Sequence, residues 1–178
     1  ADTARRPSRP TSREPWPSEE GVASDKLVLS ARVVTEDMQA FQEHYFTTDD
    51  GRRLYYRDYS GPASLTPVFC VPGLQTNSRV FENLAPNIAE RRRVLCIDPR
   101  GKGRSEYDTD PNNYTLRRDG SDLYQMALAA HATRGVVLGA SRGGLAGLFL
   151  AAKAQLVAGL ILVDIGPQFE LSAVERLS

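Results

Sequence analysis

The sequence predicts an α/β protein, a mostly parallel sheet with helices on both faces. Three observations carry that prediction. Four apolar runs of strand length, "TPVFCVPG" (66–73), "RVLCIDPRG" (93–101), "GVVLGA" (135–140) and "VAGLILVDIG" (157–166), alternate with segments of helical period. These runs are largely apolar rather than apolar at every second residue, as expected of strands covered on both sides. The chain has 178 residues with 41% hydrophobic content, which suits one domain with a substantial core.

Taken in order, residues 1–26 are rich in Pro, Ser, Arg and Glu and almost free of aliphatic side chains. Such a segment buries too little apolar surface to offset its ordering entropy, so a disordered tail is expected. A transit peptide is disfavoured by Glu14, Glu19 and Glu20. Residues 27–43 form a lead-in that is either a short helix or irregular. From residue 44 to 168 the pattern is that of a folded core. "HYFTTDDGRRLYYRDYSG" (44–61) sets Asp50-Gly51 between two β-prone runs, a strong hairpin signal. "SRVFENLAPNIAERR" (78–92) has helical spacing at Phe81, Leu84 and Ile88. Asn77 or Ser78 is its candidate cap, and Pro86 should kink or divide it. "TLRRDGSDLYQMALAAHA" (115–132) is helical, with Leu116, Leu123, Met126 and Leu128 assigned to one face. "GGLAGLFLAAKA" (143–154) is a further helix. Residues 169–178 start a lid or connecting helix, with Ser172 and Glu175 spaced as a capping box.

Charge and cysteine content exclude several classes. Lys plus Arg and Asp plus Glu number 22 each, so nothing favours a nucleic acid or an anionic membrane as partner. No run approaches the roughly 20 apolar residues that a membrane span needs, and residues 1–26 lack the apolar stretch of a signal peptide. A cytoplasmic location is therefore the default. Cys70 and Cys96 each sit inside an apolar run and read as reduced core residues rather than as a disulfide or a reactive thiol. Two scattered histidines and two core cysteines have no metal-ligand spacing, and no cofactor signature is present.

The chemistry is concentrated in Gly139-Ala140-Ser141-Arg142-Gly143. This G-x-S-x-G string falls between a strand and a helix, the context that makes it a nucleophile elbow rather than an incidental glycine-rich turn. A sharp corner there strains the serine backbone and lifts its hydroxyl above the sheet edge. Its neighbours approach too closely for a Cβ, hence Gly139 and Gly143. The following helix aims its positive end at the serine. A nucleotide-binding Rossmann turn does not fit, because G-x-G-x-x-G spacing is lacking and a serine occupies the apex.

With these residues the sequence resembles the α/β-hydrolase superfamily, in its serine-nucleophile branch, over the N-terminal portion of that fold. "VPGLQTNS" (71–78) is similar to the family's oxyanion loop, with Gly73 and Leu74 in place and Pro72 where a histidine is usual. "DPRGKGRS" (98–105) is similar to the family's D-x-x-G-x-G-x-S turn, carrying Asp98, Gly101 and Gly103. "LVDIGP" (162–167) resembles the end of the sixth strand. The resemblance implies acyl transfer: Ser141 attacks a carbonyl carbon, and the oxyanion accepts hydrogen bonds from the backbone N–H groups of Leu74 and Arg142. It implies structural roles for Asp98, Arg100 and the turn glycines, and no cofactor. Asp164 stands where some members of the family carry the triad acid. A serine at the elbow disfavours the alkyl-ester-forming branch, leaving esters, lactones, amides or activated C–C bonds of a small carbonyl substrate.

The family's triad order is Ser, acid, His, and no histidine follows Ser141. His131 is expected at the opposite sheet edge, and His44 opens the first hairpin. The expectation is a hydrolase, esterase-like or C–C-hydrolase-like, whose base and lid come from a companion C-terminal fragment or a longer parent chain. The alternative is a non-catalytic α/β-hydrolase-like binding module. If the last strand stayed uncovered, its apolar edge would call for a partner, a second copy included.

Overall fold

The computed structural model describes residues 40–165. The expected tail (1–26), residues 27–39 of the lead-in and the start of the lid helix (169–178) lie outside the described residues.

The chain opens with a hairpin of β1 (Gln42–Thr47) and β2 (Arg53–Tyr59). Its turn follows the Asp50-Gly51 signal: Gly51 has φ 83°, and the Thr48 hydroxyl accepts the Arg52 N–H at 2.9 Å. Then come β3 (Val68–Val71), β4 (Val94–Asp98), β5 (Gly135–Ala140) and β6 (Val157–Val163). The sheet order is β1-β2-β4-β3-β5-β6. β1–β2 and β2–β4 pair antiparallel, whereas β4–β3, β3–β5 and β5–β6 are parallel. Every residue of β3 and β4 is buried, as their unbroken apolar runs require.

Three helices complete the described fold: α1 (Ala85–Ala89), α2 (Leu116–Ala129) and α3 (Arg142–Lys153). Side chains alternating along each strand split the core between the two faces. Phe69, Val71, Leu95 and Ile97 pack with Leu123, Met126 and Leu150 on the α2/α3 face. Val68, Cys70, Val94 and Cys96 pack with Phe81 and Ala85 on the other. Each such large side chain contributes about 1.5–3 kcal/mol on burial. Cys70 and Cys96 are buried free thiols, opposite each other in register on β3 and β4.

Two expectations need correction. The helix expected over 78–92 is a 3₁₀ turn, Ser78–Phe81, followed by the short α1. Asn77 is the cap, accepting the Arg79 N–H at 3.0 Å, and Pro86 stands in the first turn of α1, where its missing N–H costs nothing. The break shifts the helical phase, leaving Leu84 43% exposed. In α2, Leu123 and Met126 are buried but Leu128 is 51% exposed. Two residues beyond Met126 is about 200° around the helix, so Leu128 belongs to the opposite side.

Candidate active site

Ser141 occupies the corner between β5 and α3 with φ 47° and ψ −117°, a region sparsely populated by residues that carry a Cβ. The corner is held from both sides. The Ser141 N–H donates to the Val163 carbonyl of β6 at 2.8 Å, and its own carbonyl accepts from Gly144 N–H at 2.9 Å. A Cβ on Gly139 would lie 2.5 Å from the Gly144 Cα, and one on Gly143 would collide with the Val71 carbonyl and lie 2.6 Å from that of Pro72. The glycines thus permit α3 to start directly against β3 and β5. Gly73 does not face the same demand, because a Cβ there would meet Ala140 O at 3.6 Å and Ser141 Cβ at 3.8 Å, ordinary contacts. That packing does place the Gly73-Leu74 loop beside the corner.

Arg142 opens α3, at the positive end of the helix. Its side chain is buried and turns toward α2. Its Nε donates to Asp119 Oδ2 and its Nη2 to the Tyr114 carbonyl, each at 2.8 Å. Burial pushes the Asp119 carboxyl above the usual range, with Arg142 opposing that shift. A cavity of about 180 Å³ lies between these parts. Pro72, Gly73, Leu74, Tyr114, Asp119, Leu123, Arg142 and Gly143 are among its walls, and Ser141 is not.

The loop after β4 is braced from within. The Asp98 carboxylate accepts from the N–H groups of Ser78 and Arg104, each at 2.8 Å. Gly103, at φ 55°, lets the turn close against that carboxylate. Gly101, the turn's other glycine, has φ 69° and sits against the Tyr114 hydroxyl. The Arg100 side chain is 1% exposed. It donates to both oxygens of Asp122 at 3.1 and 3.0 Å, to Asp50 at 2.7 and 3.0 Å, and to Asp108 at 2.6 Å. Burial drives the Asp122 carboxyl up to about 6 against the pull of Arg100. The Arg100 guanidinium holds the less buried Asp50 well below the usual carboxylate range.

Asp164 follows β6, one position beyond the Ala140–Val163 pair, exposed and with φ 57°. It therefore shares the sheet edge with Ser141. The histidines do not. His131 precedes β5, whose six residues separate it from the corner by about 20 Å. His44 stacks on Tyr56 with Nε2 4.0 Å from Asp58, four strand spacings or about 19 Å from β5. The described residues thus gather Ser141, Gly73-Leu74, Arg142 and Asp164 at one edge, and no histidine joins them. Sequence reasoning missed Tyr114 and Asp119, which meet Arg142 only through the packing of α2. Among the described residues no group of three or more His, Cys, Asp or Glu could hold a metal ion, and no helix is long and apolar enough to cross a membrane.

A strand, a strained serine and a helix at the carboxyl edge of a mostly parallel sheet define the architecture of an α/β hydrolase. Residues 66–177 match the family described as alpha/beta hydrolase fold, and the chain belongs to that family. It is 34% identical over 126 residues to the 3-hydroxybutyrate-oligomer hydrolase of Cupriavidus necator, covering 70% of this chain and 43% of that protein. It is 31% identical over 105 residues to a serine hydrolase-like protein of Danio rerio, covering 58% and 32%. The crystal structure of an alpha/beta hydrolase from Novosphingobium aromaticivorans superposes with a TM-score of 0.70 at 39% identity, covering 79% of this chain and 50% of that one. The chain therefore spans half or less of the length of these relatives.

Proposed function

We propose that this chain carries the nucleophile half of a serine hydrolase, with Ser141 attacking the carbonyl carbon of an ester or lactone. The observation that carries the reading is the Ser141 backbone, φ 47° and ψ −117°, a strain that needs a cause. In the proposed mechanism Oγ bonds to the carbonyl carbon while its proton passes to a histidine supplied by polypeptide beyond residue 178. The carbonyl oxygen becomes an oxyanion that accepts from the backbone N–H groups of Leu74 and Arg142, each worth about 3 kcal/mol of transition-state stabilisation. Collapse expels the alcohol, which takes the proton from the histidine, and water then hydrolyses the acyl-enzyme. Asp164 is the candidate acid that orients the histidine. Esters lead the substrate classes because one relative is named for hydrolysing 3-hydroxybutyrate oligomers, and such oligomers are polyesters. The cavity of about 180 Å³ beside the corner suits a short acyl group.

The competing reading is a binding module without catalysis, which Pro72 in the oxyanion loop and the remote histidines favour. A fluorophosphonate probe separates the two. The longest natural polypeptide containing this sequence should be labelled, and Ser141→Ala should abolish the labelling. Absence of labelling in that polypeptide would overturn the hydrolase reading and leave the binding module.

A further inference from the structure

We propose that the sheet face opposite α2 holds a second site, for a small molecule carrying a carboxylate or phosphate group, centred on Arg57. The observation behind it is a buried guanidinium whose Nε is left without a partner among the described residues. Arg57 is 9% exposed, its Nε is buried without a hydrogen-bond partner, and among the described residues no carboxylate forms an ion pair with it. The other enclosed arginines are not left so. Arg100 is met by Asp50, Asp108 and Asp122, and Arg142 by Asp119. The Phe41 ring lies 4.4 Å from the guanidinium carbon, and the hydroxyls of Tyr59 and Tyr55 are the hydrogen-bond partners of the rest of the guanidinium.

Arg57 opens onto a cavity of about 320 Å³ whose walls include Tyr55, Asn77, Arg79, Arg104 and Asp98. Three guanidinium groups thus face one carboxylate, and the oxygens of Asp98 are already engaged by the N–H groups of Ser78 and Arg104. Arg104 pairs with Glu43, whereas Arg79 is exposed and forms no ion pair among the described residues. A buried donor left unmade is costly, and a ligand oxygen that accepts from Nε removes the cost. The guanidinium fork matches the spacing of two oxygens on a carboxylate or phosphate, and the tyrosine and asparagine side chains add neutral partners. Three strand spacings, about 14 Å, separate β2 from β5, so the site is distinct from the Ser141 corner.

The test is calorimetric titration of the chain with inorganic phosphate, acetate and succinate at matched chloride ionic strength. Saturable binding of at least one anion is expected, and the preferred anion tells phosphate from carboxylate as the recognised group. Arg57→Gln should weaken it by at least about tenfold while its circular dichroism spectrum stays that of the folded wild type. Arg79→Ala, a surface change that leaves folding intact, should weaken binding severalfold. Ser141→Ala should bind as wild type does. Failure of all three anions to bind saturably, or binding that survives Arg57→Gln and Arg79→Ala unchanged, would overturn the proposal.

Discussion

Replacing Ser141 by glycine should make the protein more stable. The reasoning starts from φ 47° and ψ −117°, a conformation that costs a residue with a Cβ about 1–3 kcal/mol. Glycine escapes that cost but gives back about 0.5–1 kcal/mol through its freer unfolded chain. The net gain is about 0.5–2 kcal/mol. For a domain of this size 1 kcal/mol moves Tm by about 2–4 °C, so Ser141→Gly should melt roughly 1–8 °C above wild type. Ser141→Ala is the control, since it removes the hydroxyl but keeps the Cβ and should melt close to wild type. Differential scanning calorimetry of the three proteins at one pH provides the comparison. If Ser141→Gly melts at or below Ser141→Ala, the corner stores no relievable strain and its argument for a nucleophile fails.

Arg100→Met would strand Asp50, Asp108 and Asp122 without their shared cation and should destabilise by about 3–5 kcal/mol; urea melts should show the loss easing as acid protonates the three. The Asp122 carboxyl titrates near 6 when folded, against 3.8 for its unperturbed value. Its contribution to stability is thus present below pH 3.8 and lost as pH rises through 6. Wild type should accordingly lose up to about 3 kcal/mol relative to Asp122→Asn between pH 4 and 7, and a difference that stays flat or runs the other way refutes it. Asp119→Asn weakens the hold on Arg142 and should slow fluorophosphonate labelling of the active polypeptide about tenfold while leaving Tm within a few degrees; an unchanged rate would show that the elbow amide needs no such support.

The parts legible in sequence were those set by neighbours along the chain. Asp50-Gly51 specified the hairpin, Asn77, one of two candidate caps, caps the turn it precedes, and the apolar runs at 68–71 and 94–98 read as strands buried on both faces. The glycines around Ser141 announced a close approach before any partner was visible. Leu84 and Leu128 were misassigned because one depends on where a helix breaks and the other on exact phase. The ion pairs of Arg142 and Arg100 join residues 23 and 22 positions apart, and the unpartnered Nε of Arg57 depends on how neighbouring strands pack. Periodicity carries no trace of such long-range pairings.

Asp119 and Asp122 lie three residues apart on one flank of α2, the first gripping Arg142 at the serine corner and the second gripping Arg100 after β4. One turn of helix therefore clamps two loops that approach from different strands. Substitutions on its outer flank, at Tyr124 or Leu128, touch neither loop, yet any tilt they introduce is transmitted to both at once. Random mutagenesis screened for altered reactivity should for that reason return hits along α2 as well as around Ser141.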